Sequence, residues 1–318
     1  VELSDLDAKA SEENKAISLI RGTLSRFVQK GHAVGSFDAY TTSNVLKGSG
    51  LSSSAAFEVL VGTILSHLYN EGSVDAVEIA KYAQYAENVY FGKPSGLMDQ
   101  MASSVGSVIT IDFADTENPI IEKIDFDMEA MGCALCIVDV GGNHADLTHE
   151  YAAIPTEMKE VAGFFGRDVL RGVSYRELIA NASRIRAQFG DRAFLRAVHF
   201  VKENERVGAI VNALRDKDYS CFLKLVTQSG DSSYRYLQNV YAASDPKEQS
   251  MAVALEMAED LLGGRGAYRV HGGGFGGTTQ NFVPFDLLDS FRSGIESVFG
   301  EGSCHVLSIR PLGGVQVL

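Results

Sequence analysis

Basic residues are scarce in this chain. Its 318 residues include 28 Lys and Arg against 41 Asp and Glu, a formal net charge of −13. Proteins that work on nucleic acid bind its phosphates through an excess of cations, so the balance argues against that class. A polyanionic ligand would need a local site, one that backbone amides can supply. Cysteine is sparse too, with four residues too scattered for a disulfide framework. Cys133 and Cys136 form a C-x-x-C, yet they lie in "CALCIVDV", which reads as a buried strand, with no second C-x-x-C to complete a zinc site. No apolar run approaches the roughly 20 residues that span a bilayer. The opening "VELSDLDAKASEENK" is acidic where a signal peptide is basic and then apolar. A cytoplasmic protein is therefore expected. The first residue is Val rather than Met, and a reading frame that starts upstream is expected with it.

Hydrophobic residues make up 45% of the chain, enough for a large core and for two domains. Apolar residues at Ile17, Ile20, Leu24, Phe27 and Val28 predict an amphipathic helix over 14–30, closed by Gly31. "AVGSFDAYTTSNVL" (33–46) alternates like a strand. Helices are expected over about 53–69 and 74–90, with a third opening at Pro94. "SVITIDF", "IIEKIDF" and "ALCIVDV" read as strands, followed by mainly helical chain to about residue 262 and a last strand near "SCHVLSIR". Strands and helices mix without a regular βαβ repeat, which predicts an α+β fold. A boundary near Asp127 divides the chain into domains 1–127 and 128–318.

Three glycine-rich places carry candidate chemistry. "GSGLSSSAA", from Gly48, is not a Walker A loop, since no lysine follows the second glycine, and not a nucleophile elbow, since Ser52 is followed by Ser53 and Ser54. It puts two glycines and three serines before the free amides of a helix N-terminus, which predicts an anion site without basic side chains. Plain capping of that helix would explain one serine. In "ENVYFGKPSGLMDQ", Gly92-Lys93 is not a Walker pair, because Glu87 stands where its first glycine belongs. Pro94 sets Asp99 near the start of a helix, where a carboxylate stays ionised. "RVHGGGFGGTTQNFV" matches G-x-G-x-x-G, but its flanks read as two strands, whereas a dinucleotide fingerprint needs a helix after the glycines. It is expected to be a turn that lets backbone approach a ligand or another loop. His144, Asp146, His149 and Glu150 lack H-E-x-x-H spacing, and metal binding is not expected there.

Together these stretches resemble the GHMP family of small-molecule kinases, and within it the galactokinases, from about Ala16 to the C-terminus. "GSGLSSSAAFEV" resembles the family's phosphate-binding motif, "PSGLMDQ" the segment with the catalytic aspartate, "RVHGGGFGGTTQNFV" the third glycine-rich motif, and "GGNHADLTHEYAAIPTEM" a segment with a sugar-contacting tyrosine. The resemblance implies a two-domain GHMP fold, with ATP and Mg²⁺ as cofactors and galactose as acceptor. It implies Asp99 as the catalytic residue, Gly96, Asp99 and Tyr151 as sugar contacts, and Ser54 and Glu87 as holders of Mg²⁺. The loop Gly48, Ser49, Gly50, Leu51, Ser52, Ser53 and Ser54 would wrap the ATP phosphates.

The family's N-terminal motif, with an arginine and a Glu-His-Asp cluster that grips the sugar, has no counterpart in this sequence. The first domain is therefore expected to be incomplete at its start. The motifs present are shared with kinases of other sugars, such as N-acetylgalactosamine kinase, and with non-catalytic galactose sensors. The intact "LSSSAA" favours catalysis over sensing.

Overall fold

The computed structural model describes residues 1–45, 51–116, 118–141 and 147–317. The chain forms two compact units, Val1–Ile124 together with the residues from Ile309 onward, and Asp125–Ser308. The C-terminal segment thus belongs to the first unit, where the Arg310 carbonyl accepts from the Ser107 N–H at 2.8 Å.

Among the described residues, the first unit holds four α-helices and one antiparallel strand pair. Helix α1 (Ala16–Gln29), α2 (Ser53–Tyr69) and α3 (Ala76–Tyr85) bury Leu24, Phe27, Val59, Leu65, Ile79 and Tyr82 against one another. Asp75 caps α3 by accepting from the Val77 and Glu78 amides, as a short acidic side chain does at that position. The helix expected over 74–90 changes character at Ala86: a π-helical turn spans Ala86–Phe91 and ends on Gly92. A second small core joins Ala80 to Leu97, Met101 and Val105 of α4 (Met98–Val105), with Ile109, Ile111 and Ile121 against it. Those isoleucines come from the antiparallel pair β1 (Val108–Asp112) and β2 (Ile120–Ile124), where Thr110 faces Glu122.

Two expectations about this unit are corrected. Residues 33–45 carry no strand, because an alternating sequence becomes one only when another strand takes its hydrogen bonds, and no described strand pairs with it. Tyr40 in that segment is 94% exposed. Helix α4 opens at Met98, not at Pro94. Asn88 holds the intervening chain, accepting from the Ser95 amide at 2.7 Å and the Ser95 hydroxyl at 3.1 Å, while Gln84 Nε2 donates to the Ser95 carbonyl at 3.0 Å.

In the second unit, a short α5 (Met128–Met131) leads into β3 (Cys133–Gly141), which runs down the middle of a four-stranded sheet. After it come α6 (Thr148–Phe164), α7 (Tyr175–Ala180), α8 (Ala182–Arg215, broken at Gly190), α9 (Tyr219–Ser232), a π-helical turn (Ser233–Leu237) and α10 (Ser250–Leu262). The chain ends this unit with β4 (Ala267–Val270), β5 (Gly277–Pro284), α11 (Leu288–Phe299) and β6 (Cys304–Leu307). The strand order is β4-β5-β3-β6, all antiparallel, with Ile137 opposite both Gln280 and His305. One core packs Cys136, Val138, Val270 and Val283 of the sheet on Met251, Ala254, Ala258, Phe291 and Ile295 of α10 and α11. A second lies between α6, α7 and α8, around Val161, Leu178, Ile185 and Ala197. The expected α+β class is found, and Cys133 and Cys136 are buried free thiols, as a strand reading requires.

No described helix is long and apolar enough to cross a membrane.

Candidate active site

Gly48, Ser49 and Gly50 of the expected phosphate loop lie outside the described residues. Leu51, Ser52 and Ser54 are half-buried and Ser53 is exposed. Ser52 sits in the left-handed region at φ 55°, uncommon for a residue with a Cβ, and its side chain makes no cap bond to α2. Ser52 therefore does not cap α2 through its side chain, although its carbonyl accepts from the Ala56 N–H at 3.2 Å.

Ser54, in the first turn of α2, donates from Oγ to Glu87 Oε1 at 2.9 Å, across 33 residues of sequence. Glu87 lies in the π-helical turn, whose extra residue per turn redirects side chains and recurs at functional sites. Two contacts seat that turn on α1. A Cβ at Gly22 would come within 2.8 Å of the Ala86 Cα, so glycine there permits the close approach. Tyr90 Oη contacts the Leu6 carbonyl and Ser25 Oγ, each at 2.8 Å.

Glu87 is buried, and its two oxygens have separate partners. Oε1 accepts from Ser54 and from Lys93 Nζ at 3.1 Å, while Oε2 accepts from Gln100 Nε2 at 2.8 Å. The same Nε2 donates to Glu58 Oε2 at 3.2 Å. Glu58 and Gln100 are fully buried, both 0% exposed. Two carboxyl groups thus share one amide in the core of the unit. Burial, reinforced by the charge of Glu87, pushes the Glu58 carboxyl up to about 8. Burial pushes Glu87 upward as well, but hydrogen bonds from Ser95, Lys93 and Ser54 outweigh it and hold the carboxyl below its usual value. The two environments drive the pair apart, so at neutral pH Glu58 holds a proton and Glu87 the charge.

Asp99 is exposed in the first turn of α4, next in sequence to buried Gln100. Gly96 is exposed, with open space where a Cβ would stand.

In the second unit, Tyr151 is half-buried in α6 and donates from Oη to the Gly274 carbonyl at 2.7 Å. Its ring meets Phe275 edge-on at 5.2 Å, and burial pushes its phenol up. Asn239 holds the same loop from the other side, donating from Nδ2 to the Gly273 carbonyl at 3.1 Å and accepting the Phe275 N–H on its own carbonyl at 2.5 Å. The loop joins β4 to β5, so its glycines lie between two strands and not before a helix. His144 and Asp146 lie outside the described residues, and His149 Nε2 stands 3.8 Å from Glu150 Oε1. Among the described residues no group of three or more His, Cys, Asp or Glu could hold a metal ion.

Glu58, Lys93 and Gln100 escaped the sequence reading. Glu58 did leave a signal there: it is the one acid in the apolar run of α2, at core-facing spacing with Ala55, Val59 and Gly62.

The model of the GHMP kinases N terminal domain matches residues 18–107. The chain is 32% identical over 299 residues to a galactokinase of Streptomyces coelicolor, covering 94% of this chain and 74% of that one. It is also 32% identical over 288 residues to a galactokinase of Haemophilus influenzae, covering 88% and 70%. Among solved structures, Lactococcus lactis galactokinase complexed with galactose superposes with a TM-score of 0.76 at 23% identity, covering 98% of this chain and 79% of that one. An L. major mevalonate kinase superposes less closely, with a TM-score of 0.56 at 17% identity over 96% and 79%. The structures establish the fold, and the sequence identity over most of both chains establishes the lineage: this chain belongs to the galactokinase family of GHMP kinases.

Proposed function

We propose that this protein is a sugar kinase that transfers the γ-phosphoryl group of ATP to the anomeric hydroxyl of galactose, giving galactose 1-phosphate and ADP. The observation that carries the reading is the meeting of Ser54 Oγ and Glu87 Oε1 at 2.9 Å, at the head of the helix that follows the serine loop.

The donor set fits Mg²⁺. Magnesium is bound by one or two carboxylates together with phosphates and water, and here one ionised carboxylate and one hydroxyl converge. Oε1 of Glu87 already has a cation against it, the Lys93 ammonium at 3.1 Å. Ser54 and Glu87 would hold the ion, which when bound neutralises charge on the nucleotide phosphates.

Phosphoryl transfer has a loose transition state, so the protein's share is mostly positioning and charge stabilisation. The amides at the N-terminus of α2 face a phosphate with their positive end, and the serines add hydroxyl donors. Asp99 is exposed at the start of α4, and in this reading it accepts a hydrogen bond from the acceptor hydroxyl. Little nucleophile activation is needed in a loose transition state, so Asp99 acts by orienting that hydroxyl and taking its proton late. Tyr151, with Gly96, is read as a sugar contact. The Tyr151 hydroxyl is anchored on the Gly274 carbonyl, which fixes the ring edge that a sugar would meet.

The test is ADP release from ATP and Mg²⁺ by the complete reading frame, with galactose and with N-acetylgalactosamine. Release that depends on galactose is expected. Release only with the other sugar would reassign the substrate, and binding of galactose and ATP without release would make the protein a sensor.

A further inference from the structure

Neighbouring residues of α4 serve different surroundings. Asp99 is exposed, and Gln100 is fully buried with its amide between two carboxyl groups. The two Gln100 bonds end on Oε2 of Glu87 and Oε2 of Glu58, at 2.8 and 3.2 Å. Ser54 and Lys93 both use the other oxygen of Glu87.

We propose that Gln100 is a positioning residue for Glu87: its amide, backed by Glu58, fixes Oε2 from inside the fold so that Oε1 is the oxygen presented to Ser54 and to a divalent cation bound with the nucleotide. The proposal rests on the reading of Ser54 and Glu87 as the holders of that cation.

A carboxylate on a helix has three torsions to settle, and metal affinity falls when its orientation is left to thermal motion. One hydrogen bond restrains an oxygen; a donor that is itself held restrains the plane. Gln100 is held, because its second N–H is taken by Glu58 and the whole side chain is enclosed. A neutral donor also suits the task. Arg or Lys in its place would neutralise Glu87 from behind and weaken its pull on a cation, whereas an amide orients the carboxylate and leaves its charge intact. The arrangement ties two functions to one short helix, since any shift of α4 that moves Asp99 also moves the anchor of Glu87.

Mn²⁺ is the probe, its binding followed by loss of the free-ion electron paramagnetic resonance signal in the presence of a non-hydrolysable ATP analogue. Gln100→Met keeps the length of the side chain and removes its donors. It is expected to raise the Mn²⁺ Kd about 10- to 100-fold with the affinity for metal-free nucleotide close to wild type, and to lower the unfolding temperature, because two buried carboxyl oxygens lose their donor. Should Gln100→Met not fold, Gln100→Asn retains an amide one methylene too short to span both carboxyl groups, and it is expected to weaken Mn²⁺ in the same direction. Glu87→Gln is measured alongside. If Glu87→Gln loses Mn²⁺ while the folded Gln100 variant binds it as wild type does, the positioning role is overturned and the cation site stands. If Glu87→Gln itself binds Mn²⁺ normally, the cation site falls and this inference with it.

Discussion

The hydroxyl of Tyr151 donates to the carbonyl of Gly274 across 123 residues of sequence, joining the start of α6 to the glycine loop between β4 and β5. The glycine loop is thereby held from α6 on one side and from Asn239 on the other.

Tyr151→Phe removes that bond and keeps the edge-on contact with Phe275. A hydrogen bond of this kind is worth about 1 kcal/mol, so a small loss of stability is expected. Because the ring edge is also the proposed sugar contact, KM for galactose is expected to rise several-fold with a smaller change in kcat. Unchanged kinetics with lowered stability would leave Tyr151 a structural residue only.

Gly274→Ala is expected to cost far more. Gly274 has φ +85°, and a Cβ there would run into the Asn239 carbonyl, which is backbone and cannot rotate away. Strain and collision together predict a loss of about 2 kcal/mol or more, read as a lower denaturant midpoint. A midpoint equal to wild type would mean the loop relaxes freely.

Asp99→Asn tests the charge at the start of α4. The side chain is exposed, so the fold should not notice the change, and the unfolding temperature is expected to stay put. Turnover is expected to fall at least 100-fold, within the range attributed to general acid–base groups. Retention of most of the turnover would remove any essential role for the carboxylate.

Glu58 gives stability a pH dependence. Its carboxyl is pushed up from the usual 4.5 to about 8 in the folded protein, chiefly by burial. The folded state therefore binds more protons than the unfolded one between those values, and stability is full below about 4.5 and declines as pH rises through about 8. Glu58→Gln keeps the shape and cannot ionise. Its denaturant midpoint is expected to be flatter than wild type from pH 5 to 9 and higher at the alkaline end. Parallel curves for the two proteins would show that Glu58 does not titrate in this range.

Much of the local structure is legible in the sequence. The amphipathic period around Leu24 and Phe27 and the strand flanks of the third glycine motif follow from residue spacing, whereas Asp99 stands in a first turn because α4 opens at Met98 and not at Pro94. Spacing reports which face of an element is apolar; in α1 Leu24 and Phe27 of that face are buried, while Ile17 and Val28 are exposed. Family motifs were legible for the same reason, as short contiguous strings.

Tertiary structure alone decided the rest. Nothing within "AENVYF" marks a π-helical turn, whose extra residue is stabilised by packing on Gly22 and Tyr90's bonds to other segments. Residues 33–45 alternate like a strand and are not one, because a strand exists only through its partner. Above all, Glu58, Glu87 and Gln100 are far apart or unremarkable along the chain, and only their common burial makes one carboxyl hold a proton, the other a charge, and the amide between them an anchor. Sequence determined the elements and their chemistry-bearing residues; desolvation and distance, which exist only in the folded chain, determined what those residues can do.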